Sequence, residues 1–189
     1  MRKAKFLIVA VVVALALVGA AYAAWSTNLY INGTVNTATF SATIVPNGSP
    51  TDNSYTGQPL VTSSQGADQQ HLTVAVTNMY PGYSATIPYK ITINNSIPAT
   101  LDQSIQFSTD GGNTWQNISN APDWLGVSTL VKDDQGNTVN FQYTVPASTS
   151  PNVFTGTLTI QMPSSVTGTD GEGQNVQVQI TYPVNQKTS

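Results

Sequence analysis

The sequence predicts an all-β protein, a single antiparallel β-sandwich or jelly roll, and three observations carry that prediction. Apolar residues recur with period two along most of the chain. Turn signals separate the runs. No segment beyond the leader sustains the 3.6-residue period of an amphipathic helix.

The elements follow in order. Leu72, Val74 and Val76 alternate with polar or small neighbours, and so do Ile87, Tyr89, Ile91 and Ile93. Ile105 and Phe107 form a shorter run. Val139 to Val145 alternates at odd positions, then Leu158, Ile160 and Met162, and last Val176, Val178, Ile180 and Tyr182. Asn47-Gly48, Pro81-Gly82, Gly111-Gly112, Gly136-Asn137 and Asp170-Gly171 punctuate them as turns. Asp123 to Leu130 fits a short helical turn or a strand. Gly48 to Gly66 is polar and carries Pro, Gly and Ser, so it reads as a mobile surface loop, with Gly168 to Gly173 as a second. Some nine to eleven short strands with no boundary between them make one domain, residues 34–189, of two packed sheets.

The N-terminus has the anatomy of an export signal. Arg2, Lys3 and Lys5 precede an apolar run from Phe6 to Val18, and Ala21-Tyr22-Ala23 offers the small residues that signal peptidase requires. The run falls short of the roughly 20 residues a spanning helix needs unless Gly19 to Trp25 is added. Residues 1–23 are therefore read as a signal peptide. The competing reading keeps the apolar segment, as an anchor or as the packing helix of a type IV pilin.

Cleavage before Ala24 removes 23 of 189 residues and leaves 166, enough for one domain with a core. Three of the six Lys and Arg lie in the leader, and all nine acidic residues lie beyond it, so the mature chain carries −6. It keeps Lys90, Lys132 and Lys187 and has no arginine. Such a surface cannot neutralise a phosphate backbone, which argues against nucleic acid as a partner. No cysteine is present, so an exported chain of this sequence has no disulfide framework. Charged residues make up only 8 % of the chain, and Thr, Asn, Gln and Ser fill the polar positions. That surface can pack against copies of itself without desolvating many ions.

Two stretches carry a resemblance. Ala24-Trp25-Ser26 runs through Gly33-Thr34-Val35, and Asn78-Met79-Tyr80-Pro81-Gly82-Tyr83 leads into Ile91-Thr92-Ile93-Asn94-Asn95-Ser96-Ile97-Pro98-Ala99. Together they resemble the TasA/camelysin-type secreted filament proteins and their archaeal relatives, the bundling pilins, over about the first hundred residues. The low charge is nearer the archaeal branch. The resemblance implies a jelly-roll subunit whose N-terminal strand, residues 24–33, completes a groove in the neighbouring copy, the mode in which an extended segment adds to a sheet edge.

The residues of that segment bear on the choice. Trp25, Leu29, Ile31 and Val35 are assigned to one face, with Ser26, Asn28, Tyr30 and Asn32 on the other. Burying each large apolar side chain is worth ~1.5–3 kcal/mol, and each added ladder bond ~0.5–1.5 kcal/mol. Ordering the backbone costs roughly 1–2 kcal/mol per residue. Docking therefore requires a preformed groove and nearly complete pairing. The competitor is a hairpin: Asn32-Gly33 is a strong two-residue turn signal that folds 25–31 onto 34–40 of the same chain. In the donor reading Gly33 is a hinge instead.

Other motifs are read as structure. Ser108-Thr109-Asp110-Gly111-Gly112-Asn113-Thr114-Trp115 matches the Asp-box pattern, which resembles the structural hairpins of sialidases, and its aspartate is expected to bond turn amides. A sialidase needs arginines for its substrate carboxylate, and the mature chain has none. His71 is the only histidine and has no nucleophile elbow, so it is expected to be a half-exposed strand residue. Asp133-Asp134 with Asn137, and Asp170 with Glu172, lack full calcium loops and read as hairpin tips. Sequons stand at Asn32, Asn47, Asn94 and Asn117.

The expectation is thus a secreted, non-enzymatic structural protein without metal or cofactor, and with no stable membrane anchor after cleavage. Its partner is itself, in a head-to-tail filament, with lateral bundling of filaments through the uncharged surface. The alternatives are a secreted glycan-binding sandwich using Trp115, Trp124 or Tyr80, and the type IV pilin.

Overall fold

The computed structural model describes residues 40–54, 61–166 and 173–187. The chain divides into two units, Met1–Thr37 and Ala38–Ser189, and every described residue lies in the second. The strands among the described residues are β1 (Phe40–Pro46), β2 (Thr51–Asp52), β3 (Val61–Gln65), β4 (His71–Val76), β5 (Ser84–Asn95), β6 (Ala99–Leu101), β7 (Ser104–Ser108), β8 (Gln116–Asn117), β9 (Gly126–Lys132), β10 (Tyr143–Val145), β11 (Asn152–Gln161), β12 (Val176–Thr181) and β13 (Val184–Gln186). A single 3-10 turn, Ile118–Asn120, is the only helical element among them.

All pairings are antiparallel. The first sheet runs β1-β5-β11-β9, with β2 beside β5; a small second sheet runs β10-β6-β13; the third runs β3-β4-β12-β7-β8. The period-two runs seen in the sequence are the reason. In β5, alternate residues from Ala85 to Ile93 are buried, and in β12 Val176, Val178 and Ile180 are buried. Register stacks these positions: Ile87 lies opposite Leu158, and Val178 lies between Val74 and Phe107. The inward faces of the first and third sheets share one core cluster with Leu101 and Val145 of the second. This is the sandwich that the alternation predicts, since each sheet has one apolar face to hide.

Two expectations change and one open choice is resolved. Gly48 to Gly66 is not one loop, for it contains β2 and β3. These edge strands are polar because their outer faces meet water, and side-chain bonds fix β2. Asn53 donates from its side chain to the Gly82 carbonyl at 2.9 Å and accepts from the Ser84 amide at 2.8 Å, while the Tyr83 hydroxyl donates to Asp52. The run from Val139 to Val145 is not one strand. Gln142 takes a positive φ of 67° and breaks it, so only Tyr143–Val145 pairs, while Val139 turns back to donate its amide to the Val131 carbonyl at 2.9 Å. Asp123 to Leu130 resolves into a turn closed by the Leu125 amide on the Pro122 carbonyl, and then β9.

Candidate functional site

The feature that a partner segment can use is the edge of β1 away from β5, where no strand pairs among the described residues. Antiparallel strands alternate between residues bonded to the neighbour and residues facing away. The Asn47 amide donates to the Pro88 carbonyl at 3.0 Å, toward β5, whereas the Ile44 amide turns away from β5 and donates to the Gln69 carbonyl at 2.9 Å. By the same alternation the amides and carbonyls of Phe40 and Ala42 face away from β5, and no strand among the described residues pairs with them. Pro46 occupies the same parity, where no amide is needed.

Beside this edge lies a cleft of about 350 Å³, lined by Phe40, Ala42, Tyr182, Pro183 and Val184 together with the polar Ser41, Gln70, Thr181 and Asn185. Its far wall is held firmly. Val184 is in register with Leu101 of β6, the Asp102 amide donates to the Pro183 carbonyl at 3.0 Å, and the Lys187 amide donates to the Pro98 carbonyl at 3.1 Å. The Tyr182 hydroxyl bonds the Tyr89 hydroxyl and accepts from the Gln103 side chain at 2.8 Å. Burial raises the Tyr182 pKa far above the ordinary phenol value and pushes Tyr89 up to about 12, so both stay neutral at any physiological pH. The cleft thus combines backbone groups unpaired among the described residues with a wall of mixed polar and apolar side chains, an arrangement that an added strand can use.

The residues expected to fill such a groove, Trp25, Leu29, Ile31 and Val35, lie outside the described residues, as do the hinge Gly33 and the sequon Asn32. The remaining sequons are exposed. Asn94 donates to the Ser41 hydroxyl at 3.1 Å, and Asn117 accepts from the Ser119 amide at 2.9 Å as the cap of the 3-10 turn. Asn47 closes the end of β1.

The Ser108–Trp115 turn has the wiring expected of it. The Ser108 hydroxyl donates to the Asp110 carboxylate at 2.6 Å and accepts from the Gly112 amide at 2.9 Å; the Thr114 amide donates to the same carboxylate at 2.9 Å. The Ser108 bond first, and the Thr114 bonds after it, hold the Asp110 pKa well below the usual carboxylate range. Glycines at 111 and 112 are required there, with φ of 76° and 90°. His71 is half-buried on β4, its Nδ1 2.9 Å from an Asp68 oxygen and its ring filling the space above Gly66. Asp133 accepts from the Gln135 and Asn137 amides at 3.0 and 2.8 Å and from the Asn137 side chain at 3.0 Å, so the turn itself occupies the carboxylate. No group of three or more His, Cys, Asp or Glu gathers among the described residues. Trp115, Trp124 and Tyr80 are each partly buried, and Tyr80 stacks edge-on against Tyr83 while donating to the Asn53 carbonyl.

Sequence reasoning missed the acceptor geometry. The signal was present in the alternation of Phe40, Ala42 and Ile44 before Pro46.

No family model matches the chain, and no curated protein matches it in sequence. Among solved structures it is similar to the enzymatically active domain of tailspike protein 4 of bacteriophage CBA120, with 12 % identity and a TM-score of 0.25, over 77 % of this chain. The chain spans 19 % of that one. A likeness at that score carries no inference. The fold and site define, on their own evidence, a β-sandwich in which the outer edge of β1 near Phe40 and Ala42 pairs with no strand among the described residues and lies beside a cleft.

Proposed function

We propose that this protein is an exported structural subunit that polymerises head to tail, the N-terminal strand of one copy adding to the β1 edge of the next. One observation carries the reading: Phe40 and Ala42 point their backbone groups away from β5 beside a cleft walled by Pro183 and Val184. A strand with Trp25, Leu29 and Ile31 on one face supplies what that cleft lacks, apolar side chains and ladder partners in register. The contact is heterologous, so it propagates as a filament. The TasA-type resemblance of residues 24–99 supports the same assembly. Nothing in this scheme calls for catalysis.

The test is electron microscopy of the mature chain beside a form lacking residues 24–33. Fibres are expected from the first only. Abundant fibres from the shortened form would overturn the proposal, because the exchange would have no donor.

A further inference from the structure

The outer face of the first sheet differs from the rest of the surface. Leu130 and Val153 are the exposed large hydrophobic residues among those described, at 46 % and 38 %, and both lie on this face. Register sets Lys90 and Lys132 on either side of Thr155, with Val45 beyond Lys90, in one row across four strands. Two of the three lysines outside the leader therefore share the outer face of β1, β5, β11 and β9, whose sequences contain no carboxylate; Asp52 of β2 is in register with Ala85, on the inward face. Neither lysine forms an ion pair among the described residues. Asp133 and Asp134 lie just past Lys132, at one end of this face, and Asp133 accepts from its own turn amides as Asp68, Asp102 and Asp110 accept from theirs.

The outer face of the third sheet is the counterpart. One row across its five strands reads Ser64, Thr73, Gln179, Gln106, Asn117, all uncharged. Its ends are acidic. Asp68 lies in the turn between β3 and β4, and Asp102 lies just ahead of β7, at the end where His71, Thr181 and Ser104 are in register. Asp110 lies at the opposite end, in the turn after β7.

We infer that the first-sheet face of one copy packs on the third-sheet face of a second copy. Charge favours the pairing: the first-sheet face carries Lys90 and Lys132 in a row across its strands, whereas the third-sheet face has carboxylates at its ends and a centre with no ion to desolvate. Four strands at ~4.8 Å spacing and ten residues at ~3.4 Å give roughly 650 Å², near the ~800 Å² per partner of a standard interface. The contact is heterologous and uses different surfaces from the β1 edge. It stands whether or not strand exchange occurs.

The experiment is sedimentation velocity on the mature chain carrying Leu29→Asp, which removes strand exchange. Concentration-dependent association is expected at low salt and is expected to weaken at high salt. Lys90→Glu with Lys132→Glu should abolish it, and so should Asp68→Lys with Asp102→Lys; an equimolar mixture of the two variants should restore it. A parent that stays monomeric at low salt, variants that associate like the parent, or a mixture that fails to recover would each overturn the inference. Should a reversal unfold the chain, Leu130→Ser with Val153→Thr is expected to weaken association about tenfold, and no change would overturn it. Alginate retained by the parent but not by the lysine variant, with association unchanged, would reassign the face to an anionic polymer. Fibres persisting with Leu29→Asp would count against strand exchange alone, leaving the lysine comparison valid.

Discussion

The hydroxyls of Tyr89 and Tyr182 hydrogen-bond to each other inside the sandwich, joining β5 of the first sheet to the residue that follows β12 of the third. Gly156, opposite Tyr89 in β11, leaves the room for that ring: a Cβ there would come within 2.1 Å of it. Core packing and the far wall of the cleft meet at this pair.

Gly156→Ala is expected to displace the Tyr89 ring and break the pair, costing about 1–3 kcal/mol as an overpacked core does. For a chain of this size that lowers Tm by roughly 2–4 °C per kcal/mol. Tyr89→Phe removes one hydroxyl but leaves Tyr182 its Gln103 donor, so it should cost less, about 0.5–1.5 kcal/mol. Thermal melts of both variants check the order; a milder Gly156→Ala would contradict the steric account.

Ala42→Pro probes the free edge. Its amide faces away from β5, so proline removes no bond among the described residues but deletes the donor an incoming strand would use. The melt should change little while fibre formation falls sharply. Normal fibres from a folded Ala42→Pro chain would exclude this edge as the acceptor.

Asn95 is buried, with its amide donating to the Ile97 and Pro146 carbonyls at 3.0 and 2.9 Å and its oxygen accepting from Asn152 at 2.9 Å. Asn95→Asp places a carboxylate against two carbonyls, at a cost of about 1–3 kcal/mol or more at neutral pH. Protonation restores a donor, so the deficit should shrink near pH 4. Equal deficits at pH 7 and pH 4 in urea unfolding would rule out the electrostatic cause.

The Asp110 turn has a pH signature. Bonds from Ser108 and Thr114 lower its folded pKa, so the unfolded chain binds the proton more readily. The stabilisation is therefore complete above the ordinary value of 3.8 and is lost as pH falls below it. Between pH 5 and pH 2, Tm of the parent should fall more steeply than that of Asp110→Asn. Parallel profiles would show that the turn contributes nothing to acid stability.

The sequence by itself determined the fold class, because period two is a property of the strand and a buried face must be apolar wherever the strand goes. The alternation in 72–76, 87–93 and 176–180 became β4, β5 and β12 directly. The Ser108–Trp115 wiring was legible for the same local reason, since an aspartate two residues past a serine reaches its own turn amides. Only the tertiary structure decided the rest. That β5 lies between β1 and β11, leaving Phe40 and Ala42 of β1 without a strand partner on the other side among the described residues, is a matter of pairing between segments far apart in the chain, which no local pattern encodes. The gathering of Lys90, Lys132, Leu130 and Val153 on one face likewise follows from register, for their spacing along the chain is irregular and their spacing across strands is not.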